Sequence, residues 1–327
     1  MKKLTLLFAA LVLSFTAQAV THNVSSSFSW WVAGTDSPVQ AGDTLLVADG
    51  EYVEQWSIDF QKSDLVVMAA EGAKPVIKAS SYLKIHATTT FEGITFDGLN
   101  TATYAIGSRG TEEKNLTLKN CEFKNYVDCD INIYESTSIN KLTIDSCVFD
   151  GTNTTPIAIY GKGSTSELTI TNSEFKNYTE YCITANDYYK GYFEKVSISN
   201  SLFHDSKYSA IYLYQATEGN PQSCTDFQLI NSTIYNIGNN PTETDLPKRA
   251  VVEIRGNSTQ QVLVDHVTIY NFPAPDYCGA IKIENSSNAT ISNCIVMNPD
   301  DIYTKWITPF LAYAGATISN SVYYNCN

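Results

Sequence analysis

The sequence predicts an all-β protein, a single-stranded right-handed parallel β-helix of about 10–11 coils. An eight-residue motif recurs eight times at spacings of 26 to 35 residues, the length of one coil built from three short strands. Apolar residues in the motif alternate, instead of following the helical period of about 3.6 residues. A weaker copy precedes them at Gly93. The reference positions of the eight copies are Asn120, Ser146, Asn172, Asn200, Asn231, His266, Asn293 and Asn320.

The first two strands of each coil come from this motif. In the copy at residues 116–123 the alternation changes phase at Asn120, so Asn120 marks a corner. Asparagine tolerates bent backbone conformations and hydrogen-bonds through its side chain, so repeated asparagines predict a polar ladder at this corner. The residues of this copy predicted to point inward are Leu116, Leu118, Cys121 and Phe123.

A third short strand follows in most coils. We expect the coiling to be right-handed, as crossover connections between parallel strands are. The copies of this strand are Ile131–Tyr134, Ile157–Tyr160, Ile211–Tyr214, Val252–Arg255 and Ile281–Glu284.

The first 19 residues predict a cleavable secretory signal. Two lysines precede the apolar stretch Leu4–Phe15, and Ala17–Ala19 forms a cleavage box. The apolar stretch is too short to span a bilayer comfortably, so no transmembrane segment is predicted. Cleavage after Ala19 would place the mature protein in the periplasm or outside the cell.

The rest of the chain is predicted to form one domain. Residues 20–41, which contain Trp30 and Trp31, would cap a solenoid that occupies residues 42–327. The last motif stays apolar to its end, so we expect the full protein to be longer than this chain. An uncovered final coil would fray, self-associate or contact a partner or further chain.

Three of the eight cysteines share one position in the repeat. Cys121, Cys147 and Cys294 follow the corner residue, where other coils have serine or valine. This pattern favours buried packing thiols. A disulfide between Cys121 and Cys147 remains an alternative, because neighbouring coils lie within bonding distance.

The first coils resemble a known family. The segments Gly42–Glu54, Asp64–Ala79 and Phe91–Gly98 are similar to the start of secreted pectate-lyase-like β-helix proteins, closest to the chondroitinase-B/alginate-lyase-like group and relatives in Bacteroidota. This resemblance implies a polysaccharide partner. In the lyases of that group, a lysine and an arginine from nearby strands act with calcium held by acidic or amide residues. The GHG and RIK signatures of the pectin hydrolases of this fold are absent from the sequence.

Arg255 is the nearest counterpart of the family's arginine, although the lysine segment has no convincing match. The repeat predicts Lys282 beside Glu253, and it predicts Glu284 beside Arg255. In a polysaccharide lyase, Arg255 would neutralise a uronate carboxylate and Lys282 would abstract the α-proton, giving β-elimination. The alternative is a charge ladder on a solvated face, with little energetic effect.

Tyrosine is unusually frequent, with 21 in the chain. Outward tyrosines of the third strand would form an interrupted column beside two long insertions, at residues 214–226 and 236–250. Aromatic rings stack on sugars, but such a column could equally stiffen the solenoid by internal packing. The residues predicted to bind substrate are Tyr134, Tyr160, Tyr188, Tyr189, Tyr212, Tyr214, Glu253 and Glu284.

Other polar residues give weaker indications. Calcium is the only cofactor considered, although no pair of acidic residues forms a defined calcium loop. His266 replaces asparagine at a corner and is predicted to be structural, whereas His204 is expected to be a lone exposed histidine. The candidate calcium ligands are Asp128 with Asp130, and Asp300 with Asp301.

The net charge of −13 argues against nucleic-acid binding. It also opposes binding of an acidic polymer unless calcium or a local basic strip intervenes. Three functions remain open: a polysaccharide lyase, a non-catalytic glycan-binding protein, and a structural or adhesive surface module.

Overall fold

In the computed structural model the chain forms a three-sided parallel β-helix. A complete coil contributes a strand to sheet 1, then to sheet 2, then to sheet 3, and in the described part of the chain the sheets contain 12, 11 and 10 strands. The fold class predicted from the repeat is confirmed. The structure describes residues 19–25, 27–33, 37–185, 188–215, 224–238, 249–259, 261–273, 279–286, 288–300, 310–312 and 316–324.

The strands of each sheet pair in parallel with the next coil. Sheet 1 consists of Thr21–Val24, Thr44–Val47, Leu65–Ala69, Thr89–Glu92, Asn115–Lys119, Ser138–Asp145, Ser164–Thr171, Tyr192–Ser199, Asp226–Ile230, Gln261–Asp265, Ala289–Ser292 and Ala316–Ser319. Sheet 2 consists of Glu51–Glu54, Val76–Ala79, Thr95–Asp97, Glu122–Lys124, Val148–Asp150, Glu174–Lys176, Leu202–His204, Thr233–Tyr235, Thr268–Pro273, Ile295–Asp300 and Val322–Tyr324. Sheet 3 consists of Ile58–Phe60, Leu83–Ile85, Ile106–Ser108, Cys129–Ile133, Ile157–Gly161, Tyr181–Ala185, Ser209–Tyr214, Val252–Thr259, Ile281–Ser286 and Phe310–Ala312.

The motif turns from sheet 1 to sheet 2 at the predicted corner. All eight reference positions, including His266, have positive φ between 49° and 56°, a conformation that asparagine tolerates. The predicted ladder is present in part. Asn231 donates a hydrogen bond to the Asn200 side chain at 2.6 Å, whereas Asn172 donates to Asp145 at 2.9 Å.

The core is organised by a stack of phenylalanines on the inner side of sheet 2. Neighbouring rings lie 4.6–4.9 Å apart between centroids, with planes within 17° of parallel. Each buried ring removes a large apolar area from water, which stabilises the folded chain by about 2–3 kcal/mol. The stacked rings are Phe96, Phe123, Phe149, Phe175 and Phe203.

The small residue after the corner takes part in a second ladder. The backbone N–H of Cys147 donates to Ser173 Oγ at 3.1 Å, and that of Ser173 donates to Ser201 Oγ at 3.3 Å. The N–H of Cys121 likewise meets Cys147 Sγ at 3.4 Å. The six described cysteines are buried free thiols, so Cys121 is not bridged to Cys147. In these coils the small side chain after the corner accepts a hydrogen bond from the backbone of the preceding coil.

A further asparagine corner joins sheet 2 to sheet 3. Asn177 has φ of 62°, and its side chain donates to Asp150 at 2.9 Å. Beside it, a Cβ on Gly151 would lie 2.6 Å from the Asn177 carbonyl oxygen and 2.9 Å from the Tyr178 ring. Glycine therefore allows Tyr178 to enter the core, where its hydroxyl donates to the buried carboxyl of Asp130.

One strand and a short helix occupy the described part of the N-terminal segment predicted to be a cap. Thr21–Val24 already pairs with Thr44–Val47 in sheet 1, and the helix Phe28–Ala33 buries Phe28 against Phe60. No helix among the described residues is long and apolar enough to cross a membrane. Of the predicted signal, residues 1–19, all but Ala19 lie outside the described part of the chain.

At the other end, the last strands expose apolar side chains. Ile318 is 48% exposed and Val322 is 59% exposed. The expected association or fraying of this end stays a prediction.

Candidate functional site

The outer face of sheet 3 carries an aromatic cluster that is separate from the core. Eight tyrosines share it with Cys129 and Ile157. The concentration of phenol groups on one of three faces makes this face the candidate site. The tyrosines are Tyr82, Tyr104, Tyr134, Tyr160, Tyr181, Tyr208, Tyr212 and Tyr214.

The predicted single column of tyrosines is in fact two neighbouring columns. Tyr160 and Tyr212 belong to one column, with Thr184 between them in register. Tyr134 and Tyr214 lie two residues further along their coils, in a second column. Side chains point outward at every second residue of a strand, so residues two apart occupy separate columns.

Several tyrosines pack on one another. Tyr212 stacks on Tyr181 at 5.2 Å and on Tyr214 at 5.7 Å between ring centroids. Tyr212 is only 7% exposed, and burial raises the pKa of its hydroxyl to about 12. Tyr212 therefore stiffens this face, as the packing interpretation predicted, and offers little surface to a ligand.

All three arginines of the chain lie over tyrosine rings of this face. The guanidinium carbon of Arg109 is 3.6 Å from the Tyr134 centroid, and that of Arg255 is 4.7 Å from the Tyr214 centroid. Arg249 lies 4.1 Å from the Tyr212 centroid. Such cation–π contacts hold the guanidinium groups in place. The repeat gave no role to Arg109, because its coil matches the motif poorly.

The four charged residues predicted to stack do so. Glu253 pairs in register with Lys282, and Arg255 pairs with Glu284. Lys282 Nζ lies 3.1 Å from Glu284 Oε1 and 3.7 Å from Glu253 Oε1. Arg255 donates from Nε to Glu284, and its Nη1 lies 3.5 Å from Glu253 Oε1.

These four residues, here called the carboxyl-terminal cluster, form a charge ladder that is partly buried rather than fully solvated. The Glu253 side chain is 2% exposed and that of Lys282 is 10% exposed. Burial alone would lower the pKa of Arg255, but the charges of Glu284 and Glu253 outweigh it and raise that pKa. Two cations and two carboxylates balance one another here. Removing one member would leave a buried charge uncompensated.

An accessible aromatic platform on the same face consists of Tyr160, Tyr188 and Tyr189. Tyr189 packs edge-on against Tyr160 at 5.6 Å and against Tyr188 at 4.6 Å between centroids. Lys162 Nζ lies 4.4 Å from the Tyr160 centroid and 4.7 Å from that of Tyr189. Tyr188 is 82% exposed, so this platform is open to a ligand.

A cavity of about 510 Å³ adjoins the platform. Hydroxyl, ammonium and carboxylate groups line it, which suits the hydroxyl groups of a sugar. Parts of the two long insertions, residues 216–223 and 239–248, lie outside the described chain. Tyr189 belongs to both the cavity lining and the platform, and Lys162, which contacts two platform rings, also lines the cavity. Other lining residues include Glu135, Thr137, Lys190 and Tyr192.

The structure separates one pair of candidate calcium ligands. Asp130 lies inside the solenoid, whereas Asp128 is at the surface, 3.9 Å from Lys162. The described residues contain no group of three or more acidic, histidine or cysteine side chains placed to hold a metal ion. Asp301 and the side chain of Asp300 lie outside the described residues, so that pair stays a prediction.

His204 differs from the expected exposed histidine. It ends strand Leu202–His204 on sheet 2, is 8% exposed, and stacks on Tyr235 at 4.7 Å. Its Nε2 lies 2.9 Å from Glu174 Oε1. The expectation was wrong because the strand continues one residue beyond Phe203.

Comparison with known proteins identifies the fold. A family model described as "right handed beta helix region" matches residues 104–241 and 158–327. The tailspike protein of E. coli bacteriophage HK620, solved in complex with a pentasaccharide, superimposes with a TM-score of 0.51 at 12% identity, over 94% of this chain and 57% of its own. That likeness shows the fold alone.

Two lyases are also similar in structure. The PL6 family alginate lyase AlyGC gives a TM-score of 0.49 at 14% identity, and the chain covers 40% of its length with 93% of its own. Pectate lyase Pel9A gives 0.38 at 13% identity, over 93% of this chain and 77% of its own. No curated protein is similar enough in sequence to count as a match.

Proposed function

Because the chain belongs to the right-handed β-helix family, we propose that it is an exported polysaccharide-binding protein. An extended glycan would lie along the solenoid axis against the outer face of sheet 3. The HK620 tailspike, solved with a pentasaccharide, is a precedent for glycan binding on this fold. Fold alone does not carry function, so the proposal depends on the groups of this face.

The observation that carries the proposal is the open platform of Tyr160, Tyr188 and Tyr189 beside the cavity. Tyr188 is 82% exposed, although burying such a ring in a core would be favourable. An exposed ring next to a polar cavity supplies a stacking surface together with hydrogen-bonding groups. That combination suits a sugar, which has an apolar C–H face and polar edges.

The second candidate function is β-elimination by a polysaccharide lyase. It is favoured by the placement of Arg255 and Lys282 on adjacent strands of the same face. Against it, the Lys282 ammonium is engaged by Glu253 and Glu284, and a general base needs a free electron pair. Arg255 likewise already has carboxylate partners. We therefore place binding before catalysis.

Affinity electrophoresis through gels that contain single polysaccharides tests the binding function. The wild type should be retarded by at least one neutral or acidic glycan of a broad panel. Tyr188→Ala and Tyr189→Ala should lose most of the retardation. Tyr324→Ala, which removes an exposed tyrosine of sheet 2, should bind as the wild type does. Equal retardation of all four proteins would rule out this placement.

Two further measurements separate the remaining alternatives. A lyase would produce unsaturated uronates, seen as rising ultraviolet absorbance with acidic polysaccharides, and Lys282→Met would abolish the rise. Binding without any such rise supports the non-catalytic function. Export is checked by N-terminal sequencing of the mature protein from the source cells, where Val20 should be the first residue.

A further inference from the structure

The outer face of sheet 3 carries a second charged group, near its amino-terminal end. This amino-terminal cluster consists of Asp59, Tyr82, Lys84, His86 and Arg109. Asp59 lies at its centre, with Lys84 Nζ 3.4 Å away and His86 Nε2 3.0 Å away. Neither the repeat nor the family resemblance pointed to these residues.

Arg109 is held rigidly within this cluster. Its Nη2 donates to the Tyr82 hydroxyl at 2.8 Å and to the Tyr104 hydroxyl at 3.0 Å. The guanidinium carbon lies between two rings, 5.0 Å from the Tyr82 centroid and 3.6 Å from the Tyr134 centroid. The charge is therefore fixed in position before any ligand arrives, which lowers the ordering cost of binding.

The charge balance differs from that of the carboxyl-terminal cluster. Lys84 and Arg109 are positive and Asp59 is the one carboxylate among the five residues, whereas Arg255 and Lys282 face two carboxylates. Burial opposes ionisation of Tyr82, yet hydrogen bonds with Tyr104 and Arg109 and the charges of Arg109 and Lys84 lower its pKa. The five residues of the cluster thus carry more positive than negative charge, in a chain of net charge −13.

The charged groups are also within reach of a ligand. The side chains of Lys84, His86 and Asp59 are 27%, 33% and 31% exposed. Lys84 and Tyr160 occupy equivalent positions on strands of sheet 3 that are three coils apart. The residues that pair in register between them are Gly107 and Asn132. Three strand spacings of ~4.8 Å put the cluster about 14 Å from the platform along the axis. One extended glycan can therefore reach both.

We propose that the amino-terminal cluster is an anion-binding subsite for a carboxylate or sulfate substituent on an otherwise neutral glycan. Lys84 and His86 would donate hydrogen bonds to the anion, and the Tyr82 hydroxyl, oriented by Arg109, would donate a third. The uncharged sugars of the same chain would lie over Tyr188 and Tyr189. This inference rests on the proposed function for its glycan, but anion binding itself is measurable without one.

Histidine NMR provides the test, since the chain contains four histidines. Sodium glucuronate, sodium sulfate and glucose are titrated separately into the full protein at constant ionic strength. The His86 ring resonances, assigned with His86→Gln, should shift saturably with an anion and stay unchanged with glucose. The other histidines serve as internal references. Lys84→Gln should weaken the apparent affinity about fivefold, as the loss of one charge contact implies.

A matched control uses the Lys78–Glu51 pair on sheet 2, where the Lys78 side chain is 25% exposed. Lys78→Gln should leave the titration unchanged. A response to glucuronate but not sulfate assigns the subsite to a sugar carboxylate, and the reverse assigns it to a sulfate ester. No saturable His86 shift with either anion, or an equal shift with glucose, overturns the proposal even if Tyr188 and Tyr189 bind polysaccharide.

Discussion

Tyr178 donates a hydrogen bond to Asp130 inside the solenoid, where neither side chain has contact with solvent. Burial raises the pKa of the Asp130 carboxyl well above its usual range, although the Tyr178 hydroxyl opposes the shift. An isolated ionised carboxylate in such surroundings would be costly. The group therefore favours its neutral, protonated form in the folded chain.

Stability should decrease as pH rises because of Asp130. The unfolded carboxyl has a pKa of about 3.9, below that of the folded one, so the folded chain holds an extra proton between the two values. Its contribution is complete below the unfolded pKa and is lost as pH rises through the folded pKa. Urea unfolding at several pH values measures this slope.

Asp130→Asn provides the control for that slope. The amide keeps the shape and the hydrogen-bonding capacity of the protonated acid but does not titrate. Subtracting its unfolding free energies from those of the wild type should isolate a contribution that falls with pH. A difference that is flat across the range would contradict the neutral carboxyl.

The buried charge cluster should tolerate the loss of one member poorly. Glu253→Gln leaves Arg255 and Lys282 with a single carboxylate, and we expect a destabilisation of about 3 kcal/mol. Glu167→Gln is the matched control, because the Lys141–Glu167 pair is 2.8 Å long but 45% and 43% exposed. That change should cost less than about 1 kcal/mol. Similar losses in the two variants would show that water reaches Glu253 much as it reaches Glu167.

The corner asparagines should show a separate cost for backbone conformation. Asn172→Ala puts a residue that tolerates the left-handed region poorly at φ of 52°, and it removes the hydrogen bond to Asp145, so we expect a loss of about 2 kcal/mol. Asn172→Gly removes the same hydrogen bond but relieves the strain. Chemical denaturation should therefore rank glycine above alanine, and the opposite order would contradict the strained corner.

Gly151 should be intolerant of even one methyl group. An added Cβ would lie 2.6 Å from a backbone oxygen, which cannot rotate away as a side chain would. We expect Gly151→Ala to lower stability by about 1–3 kcal/mol, as overpacking does. Thr152→Ala next to it removes atoms rather than adding them and is the comparison for unfolding measurements. Equal stability of Gly151→Ala and the wild type would mean that the backbone at Asn177 shifts easily.

The sequence predicted those features that repeat with the coil. Alternation placed Leu116, Leu118 and Phe123 inward, and all three are completely buried. The matching third strands Val252–Arg255 and Ile281–Glu284 also predicted the register of Glu253 with Lys282. Parallel strands of neighbouring coils pair in register, so the position of a residue in one coil predicts which residue of the next coil lies beside it.

Features that depend on what packs above a sheet were not predictable in this way. The repeat shows that Glu253 points outward but not that its side chain is 2% exposed, since an outward residue is buried only when other groups cover it. Arg109 was missed for a related reason. Its partners Tyr82 and Tyr134 come from the preceding and following coils, and no local pattern joins the three.

The ladder of small residues after the first corner has a direction. The backbone N–H of Ser173 is satisfied by the side chain of Ser201, which belongs to the next coil, and never by an earlier one. Synthesis proceeds from the amino terminus, so in the coils from Cys121 to Ser232 each donor of this ladder is made before its acceptor. Ser173 therefore cannot complete this hydrogen bond until the coil that carries Ser201 has been synthesised.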